Sequence, residues 1–190
     1  MTSTTTAAPA TLADLAGTWT IDASHTRIGF VARHAMITKV RGAFNEFDGT
    51  AVVDGADLSR STAALTIKAA SIDTRNEQRD GHLRSNDFLA MDEFPEITFT
   101  STGVRQTGAT SLELTGDLTI KGVTKSVTVP FEFEGVATDP FGNVRAGFEG
   151  SVTISRSDYG ITWNAALETG GVLVSDKIVL ELEVSAIKAA

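Results

Sequence analysis

The sequence predicts an all-β fold of eight antiparallel strands, closed as an up-and-down barrel or stacked as a sandwich. Three observations carry this. Eight stretches alternate apolar and polar residues with a period of two. Among 190 residues, 17 glycines accompany abundant Thr and Val, a composition of strands and tight turns. That length exceeds one average domain and falls short of two, a size at which all-β barrels fold as single domains. The expected organisation is a disordered or weakly ordered tail over residues 1–16 and one domain over 17–190.

In chain order, a Thr/Ala/Pro-rich start has too little apolar surface to order itself. One helical turn over Thr11–Ala16 would end at Gly17. The first strand runs from Thr18 to Asp22, turns at Ala23–Thr26 and resumes with Ile28, Phe30, Ala32 and His34 on one face. The second, Lys39 to Asp54, changes phase between Phe44 and Phe47, so a β-bulge near Asn45 is expected to bend it. Leu58–Ala70 is the third, with Ala63, Leu65, Ile67 and Ala69 in step, and the fourth begins at Pro95 and carries Ile97 and Phe99. Leu112–Ile120, Val127–Gly135, Val144–Ile154 and Ile178–Val184 complete the set. Pro130 forfeits one ladder bond, which predicts an edge or bulge there.

Two segments break the pattern. Ser71–Phe88 carries three arginines, four acids and one of the three histidines. The spacing of Thr74 and Glu77 is that of a capping box, predicting a short helix from Arg75 between strands three and four. Its charges are expected to pair internally, Arg79 with Asp80 or Glu77 and Arg84 with Asp87 or Asp80, while Leu83 and Phe88 pin it down. Ser155–Ser175, between strands seven and eight, is a loop or helix far longer than a hairpin needs. Tyr159, Trp163 and Leu167 would form an apolar stripe on a helix, as a core cap or a lid over one mouth of a barrel.

Composition excludes several functions. A net charge of −8 and a pI near 4.8 argue against a nucleic-acid partner and against adhesion to an anionic membrane face. The chain has no cysteine, hence no disulfide framework, thiol nucleophile or thiolate metal site. The N-terminus lacks the basic and apolar regions of a signal peptide, and no run reaches the ~18 apolar residues of a membrane-spanning helix. A cytoplasmic protein without stable membrane insertion is the expectation. Motifs of nucleophile elbows, zincins, P-loops and dinucleotide sites are absent. His25, His34 and His82 lack metal-ligand spacing, and the Arg79-Asp80-Gly81-His82 cluster lacks a nucleophile beside it, so neither a metal nor catalysis is expected.

An eight-stranded barrel is wide enough to be filled by its own side chains or to hold one slim ligand. The inner faces mix Phe with Gly42, Gly49, Ala63, Ala69, Gly116, Gly135, Ala146 and Gly150; these small residues serve tight coiling or leave a lumen. Such a lumen would be long, narrow and apolar, suited to an aliphatic chain. Each five-carbon isoprene unit buried in it is worth about 4 kcal/mol before ordering costs, at ~0.8 kcal/mol per carbon.

The ordered series WTIDASHTRIGFVARHAMITKVRGAFNEFDG, SIDTRNEQRDGHLRSNDF, FPEITFTST, GDLTIKGVTKSVTVPFEF, RAGFEGSVTISRSDYGI and GGVLVSDKIVLELEV closely resembles the YceI-like polyisoprenoid-binding family, from about Trp19 to Ile187. The resemblance implies a lipocalin-like, extended eight-stranded antiparallel barrel around a long isoprenoid or other amphiphilic chain, such as an isoprenoid-tailed quinone. Many members of that family carry a secretory leader. The expected function is therefore non-enzymatic binding and carriage or storage of such a lipid. A regulatory binding protein for another small amphiphile, and an enzyme acting on a lipid head group, are the alternatives.

The expected lumen residues are Ile28, Phe30, Phe44, Leu65, Ile67, Phe99, Leu114, Leu118, Phe131, Phe133, Phe148, Trp163 and Leu180. From their chemistry, His34, Arg79, Asp80, His82 and Arg156 are expected at the ligand's polar end. No cofactor is expected beyond the bound polyisoprenoid or isoprenoid quinone. Val31 and Val136, on predicted outer faces, are hints of a homodimer.

Overall fold

The computed structural model describes residues 10–190; the expectation for residues 1–9 lies outside them. Eleven strand segments form one antiparallel sheet: β1 (Gly17–Ile21), β2 (Arg27–His34), β3 (Thr38–Phe44), β4 (Phe47–Val53), β5 (Thr62–Lys68), β6 (Ile72–Asp73), β7 (Glu96–Gln106), β8 (Ser111–Ile120), β9 (Val123–Thr138), β10 (Val144–Ser155) and β11 (Lys177–Lys188). The ladder runs β1-β4-β5-β7-β8-β9-β10-β11 and closes where Trp19 to Ile21 pair with Lys188 to Ala186. β2, β3 and β6 continue β1, β4 and β5 beyond short interruptions, and β2 stays on the same edge of β11. Eleven segments thus make eight staves, in the predicted order.

The interruptions lie side by side. The turn at 22–26 neighbours the break at Asn45 and Glu46, which neighbours a 3-10 turn at Ala69–Ser71; Asn45 N–H donates to Ser71 C=O at 3.2 Å and Lys68 N–H to Glu46 C=O at 2.9 Å. Three adjacent breaks bend this half of the wall, as the phase change at Asn45 predicts. Pro130 is on no edge: it stands mid-strand opposite Glu113, one residue from Phe131↔Gly150, where the β9–β10 ladder ends. A residue without an N–H sits where β9 and β10 part.

At the lower end, around Gly17, Val53 and Lys188, the predicted tail is ordered from Leu12. A 3-10 turn, Leu12–Leu15, buries Leu12 and Leu15 against Trp19, Phe133, Ala146 and Ala186. The i, i+3 spacing of the two leucines eclipses them on one face of the turn. The Trp19 indole N–H donates to Leu15 C=O at 2.7 Å. Beside this stopper, Arg145 bonds Asp22 at 2.5 Å and Asp139 at 2.8 Å; these bonds, with those from Ser24, His25 and Asn143, hold both carboxyls well below the usual carboxylate range.

At the upper end, around His34, Ile120 and Ser155, two irregular segments cross the mouth. The first contains α1 (Glu77–Arg84), and its cap is Asn76, whose Oδ1 accepts from Arg79 N–H at 2.9 Å, in place of the expected Thr74. The second holds a single 3-10 turn, Arg156–Tyr159, ended by Gly160 at φ 72°, so Tyr159, Trp163 and Leu167 share no helix. Val31 is 6% exposed and offers no contact surface, whereas Val136 is 39% exposed.

Candidate ligand-binding lumen

Inward-facing side chains do not fill the barrel. Phe30, Phe44, Leu65, Phe99, Leu114, Phe131, Phe148 and Leu180 all point inward yet remain half-buried, because they line an internal cavity of about 390 Å³. A 150 Å³ apolar cavity accommodates a benzene ring, so this lumen has room for a substantial chain. It extends from Leu12, Leu15 and Trp19 below to Tyr159, Ile161 and Val174 above.

The small wall residues have a role beyond the two expected. A Cβ on Gly116 would lie 2.4 Å from the Phe99 ring, and one on Gly150 2.6 Å from the Phe131 ring. Each glycine seats the aromatic ring of the neighbouring strand flat against the wall, smoothing the lumen without closing it.

Among the expected lumen residues, Ile28, Phe30, Phe44, Leu65, Ile67, Phe99, Leu114, Leu118, Phe131, Phe148 and Leu180 line the cavity. Phe133 and Trp163 do not. Phe133 packs on Phe148, ring centroids 5.4 Å apart, within the lower stopper. Trp163 lies over the upper segment, 4.6 Å from the His82 ring and 5.4 Å from Phe88, because no helix turns it inward. Leu83 and Phe88 do line the top of the cavity, joined by Leu89.

The expected polar cluster is dispersed. Asp80 is 4% exposed and accepts from both the backbone N–H and the hydroxyl of Thr74. Arg79 bonds the Thr74 hydroxyl and carbonyl, each at 2.7 Å. Arg84 donates to the carbonyls of Ala70 and Ile72 at 2.9 and 3.2 Å and reaches Glu77 at 3.4 Å. His82 donates from Nε2 to the Asp87 carboxylate at 2.9 Å on the outer surface. His34 is exposed at the rim, paired through its backbone with Val174. These groups fasten the cover rather than face the cavity. Nor do the histidines meet: among the described residues no three His, Asp or Glu side chains form a metal-sized group.

Arg156 alone of the five reaches the lumen. It is 7% exposed, and its guanidinium donates to the carbonyls of Ser175 (2.8 Å), Ile161 (3.0 Å), Trp163 (2.9 Å) and Val174 (3.3 Å). No carboxylate pairs with it among the described residues, and burial lowers its pKa against the opposing pull of Asp176. A guanidinium remains charged at neutral pH, so the top of an apolar cavity holds one cation with no direct counter-ion. Tyr159, three residues on in the same 3-10 turn, lines the cavity beside it; it is 2% exposed and its hydroxyl bonds no described residue. Burial, and then Asp158, push the phenol pKa up, keeping it a neutral donor. Arg156 and Tyr159 are the ionisable side chains of the cavity wall. As a core cap or a lid, Tyr159 carries no ligand role in the sequence pattern; its spacing from Arg156 within SRSDYG is the available signal.

The YceI-like domain profile matches residues 19–186, nearly the whole barrel. The chain belongs to the YceI-like family. The UPF0312 protein of Staphylococcus aureus strain MSSA476 is 42% identical over 86% of this chain and 93% of its own length. Among solved structures, the Campylobacter jejuni YCEI protein is similar at 32% identity and TM-score 0.71, over 83% of this chain and 90% of that one. Burkholderia cenocepacia BcnA shares the fold at 24% identity and TM-score 0.76, over 87% and 98%. A polyisoprenoid binding domain from Saccharophagus degradans shares it at 13% identity and TM-score 0.67, over 90% and 98%.

Proposed function

We propose that this YceI-like barrel binds and carries or stores a long-chain isoprenoid lipid or isoprenoid-tailed quinone without transforming it. The observation that carries the reading is the hollow interior: a closed barrel keeps large apolar side chains facing an internal space of about 390 Å³ rather than packing them together. Apolar surface left unfilled in this way is a standing loss of hydrophobic stabilisation, recovered when an apolar chain enters. The name of the Saccharophagus degradans domain, a polyisoprenoid binding domain, agrees with this. The ligand's oxygen-bearing end lies at Arg156 and Tyr159, where a charged and a neutral donor meet. Catalysis has no support in the upper segment, whose Arg79, Asp80 and His82 are engaged in holding the fold.

Organic extraction of the purified protein followed by mass spectrometry is expected to release a long-chain isoprenoid lipid. Ala63→Trp projects an indole into the lumen from a half-buried wall position. That variant should keep its β circular dichroism while lipid yield falls about tenfold or more. Lipid-free wild-type protein that also refuses added isoprenoid quinone, or full lipid occupancy in the Ala63→Trp variant, would overturn the proposal.

A further inference from the structure

We propose that the β2–β3 hairpin tip docks the upper mouth of the barrel onto an anionic lipid bilayer, the source or destination of its ligand. The purpose assigned to this contact rests on the lipid-carrier reading above; the contact itself rests on the hairpin.

Three local penalties coincide there, and the barrel needs none of them. Ala35 and Met36 stand at φ 51° and 61°, the signs of a type I′ turn, closed by Ile37 N–H donating to His34 C=O at 3.0 Å. Such turns ordinarily take Asn-Gly, since a side chain at positive φ is strained. Met36 and Ile37 are 54% and 78% exposed, beyond the last ladder pair His34↔Thr38. Val172, 40% exposed, adds to them from the neighbouring segment, where Ala35 N–H bonds Leu173 C=O at 2.7 Å. Arg33 lies directly opposite Lys39, with Arg41 one pair further on the same face, and none of the three makes an ion pair among the described residues. Like charges directly across a ladder are destabilising.

Charge is segregated as well. The chain has 24 acids to 16 Lys and Arg, yet no Asp or Glu occurs between Thr26 and Asn45; the facing Ser155–Ser175 segment carries Asp158 and Glu168, with Asp176 next to it. Net charge does not set the field at a contact, because screening limits each charge to about 8–10 Å. An apolar tip with three cations behind it on one face complements anionic head groups over acyl chains. Strain kept at an exposed position points to such a use. Phe141, 88% exposed at the lower end, differs: Asp139 and Arg145 pair beside it, leaving no cationic face. The hairpin also sits at the right place, for Ala32 and Val174 line the lumen just beneath it.

The test is co-sedimentation of the full chain with vesicles of phosphatidylcholine containing about one-third phosphatidylglycerol, against pure phosphatidylcholine. Wild type should sediment with the anionic vesicles and be released by salt. The Ala35→Asn/Met36→Gly/Ile37→Thr variant should melt at a higher temperature, the turn being relieved, while its vesicle-bound fraction falls about fivefold or more. Ile37→Ser alone, which loses no buried contact, should weaken association at unchanged melting temperature; Phe141→Ser should change nothing. Failure of wild type to bind anionic vesicles, or unchanged binding by Ile37→Ser, would overturn docking and leave the tip as a protein contact. Lipid extraction from the same preparations separates the two readings: vesicle binding by a barrel with no lipid retains docking and removes the carrier.

Discussion

At its lower end the barrel is stoppered by side chains: Leu12, Leu15 and Trp19 fill the opening, and the Asp22–Arg145–Asp139 bonds lock the turns around them. At its upper end the cover is stitched by Arg79, Arg84 and Arg156, each of which ends on backbone carbonyls. The two closures have different energetics. A buried apolar plug resists removal in proportion to its whole area, whereas a guanidinium–carbonyl bond adds a net contribution of about 1.5–3 kcal/mol set by its geometry. Opening the lower end means dissolving the Leu12, Leu15 and Trp19 cluster, while opening the upper end means lifting Phe88, Leu89, Tyr159 and Ile161 out of the main core as well as trading hydrogen bonds. The upper closure is thus mixed, apolar side chains and guanidinium–carbonyl bonds together, and the lumen's one cation stands in it.

The largest effect expected from breaking this contrast is at the plug. Leu12→Ala empties a fully buried site that partly faces the lumen, and should destabilise the fold by about 2–5 kcal/mol in denaturant unfolding. A loss below about 0.5 kcal/mol, the range of surface substitutions, would show that the lower end is closed by something else.

At the upper end the expected loss is smaller and its location diagnostic. Arg156→Leu strands the carbonyls of Ile161, Trp163, Val174 and Ser175, costing about 1–3 kcal/mol. Limited proteolysis should then cut within 160–175 many times faster while sparing 10–20. Arg156→Lys should not restore protection, since an ammonium has three donors and no fork to span these carbonyls. Equal sensitivity at both ends in Arg156→Leu would erase the distinction between the two closures.

How much of this was legible follows from what each feature depends on. Strand identity depends on local alternation, so all eight staves, and the bend at Asn45, can be read from the sequence. The plug depends on two leucines in a polar start, Leu12 and Leu15, buried by nearby Trp19 and by Phe133, Ala146 and Ala186 from far along the chain. Nothing local distinguishes them from a solvated turn. Trp163 was misplaced for the converse reason: helical spacing implies a stripe only if the backbone is helical, and Gly160 ends the turn first. The charged segment illustrates a third limit. Arg79 and Arg84 look like ion-pair partners for nearby acids, but the carbonyls left unpaired where the chain crosses the mouth take them, because buried C=O groups must be satisfied. Composition shows charges, and only topology shows which carbonyls are short of donors.

The smallest expected effect is electrostatic and confined to acid. Asp22 and Asp139 titrate below their ordinary value in the folded state, so their contribution to stability is whole above about pH 4, the unfolded value, and fades as pH falls below it. Arg145→Met removes the shared partner, which lets both carboxyls rise toward the unfolded value and flattens that part of the acid dependence. The melting temperatures of variant and wild type should therefore differ by a constant amount from neutrality down to about pH 4 and converge below it. The upper end offers no equivalent, since Arg156 meets carbonyls rather than carboxylates and keeps its proton throughout. Curves that stay parallel to about pH 2 would mean that the lower end is held by the Leu12, Leu15 and Trp19 plug alone, with Arg145 a bystander to it.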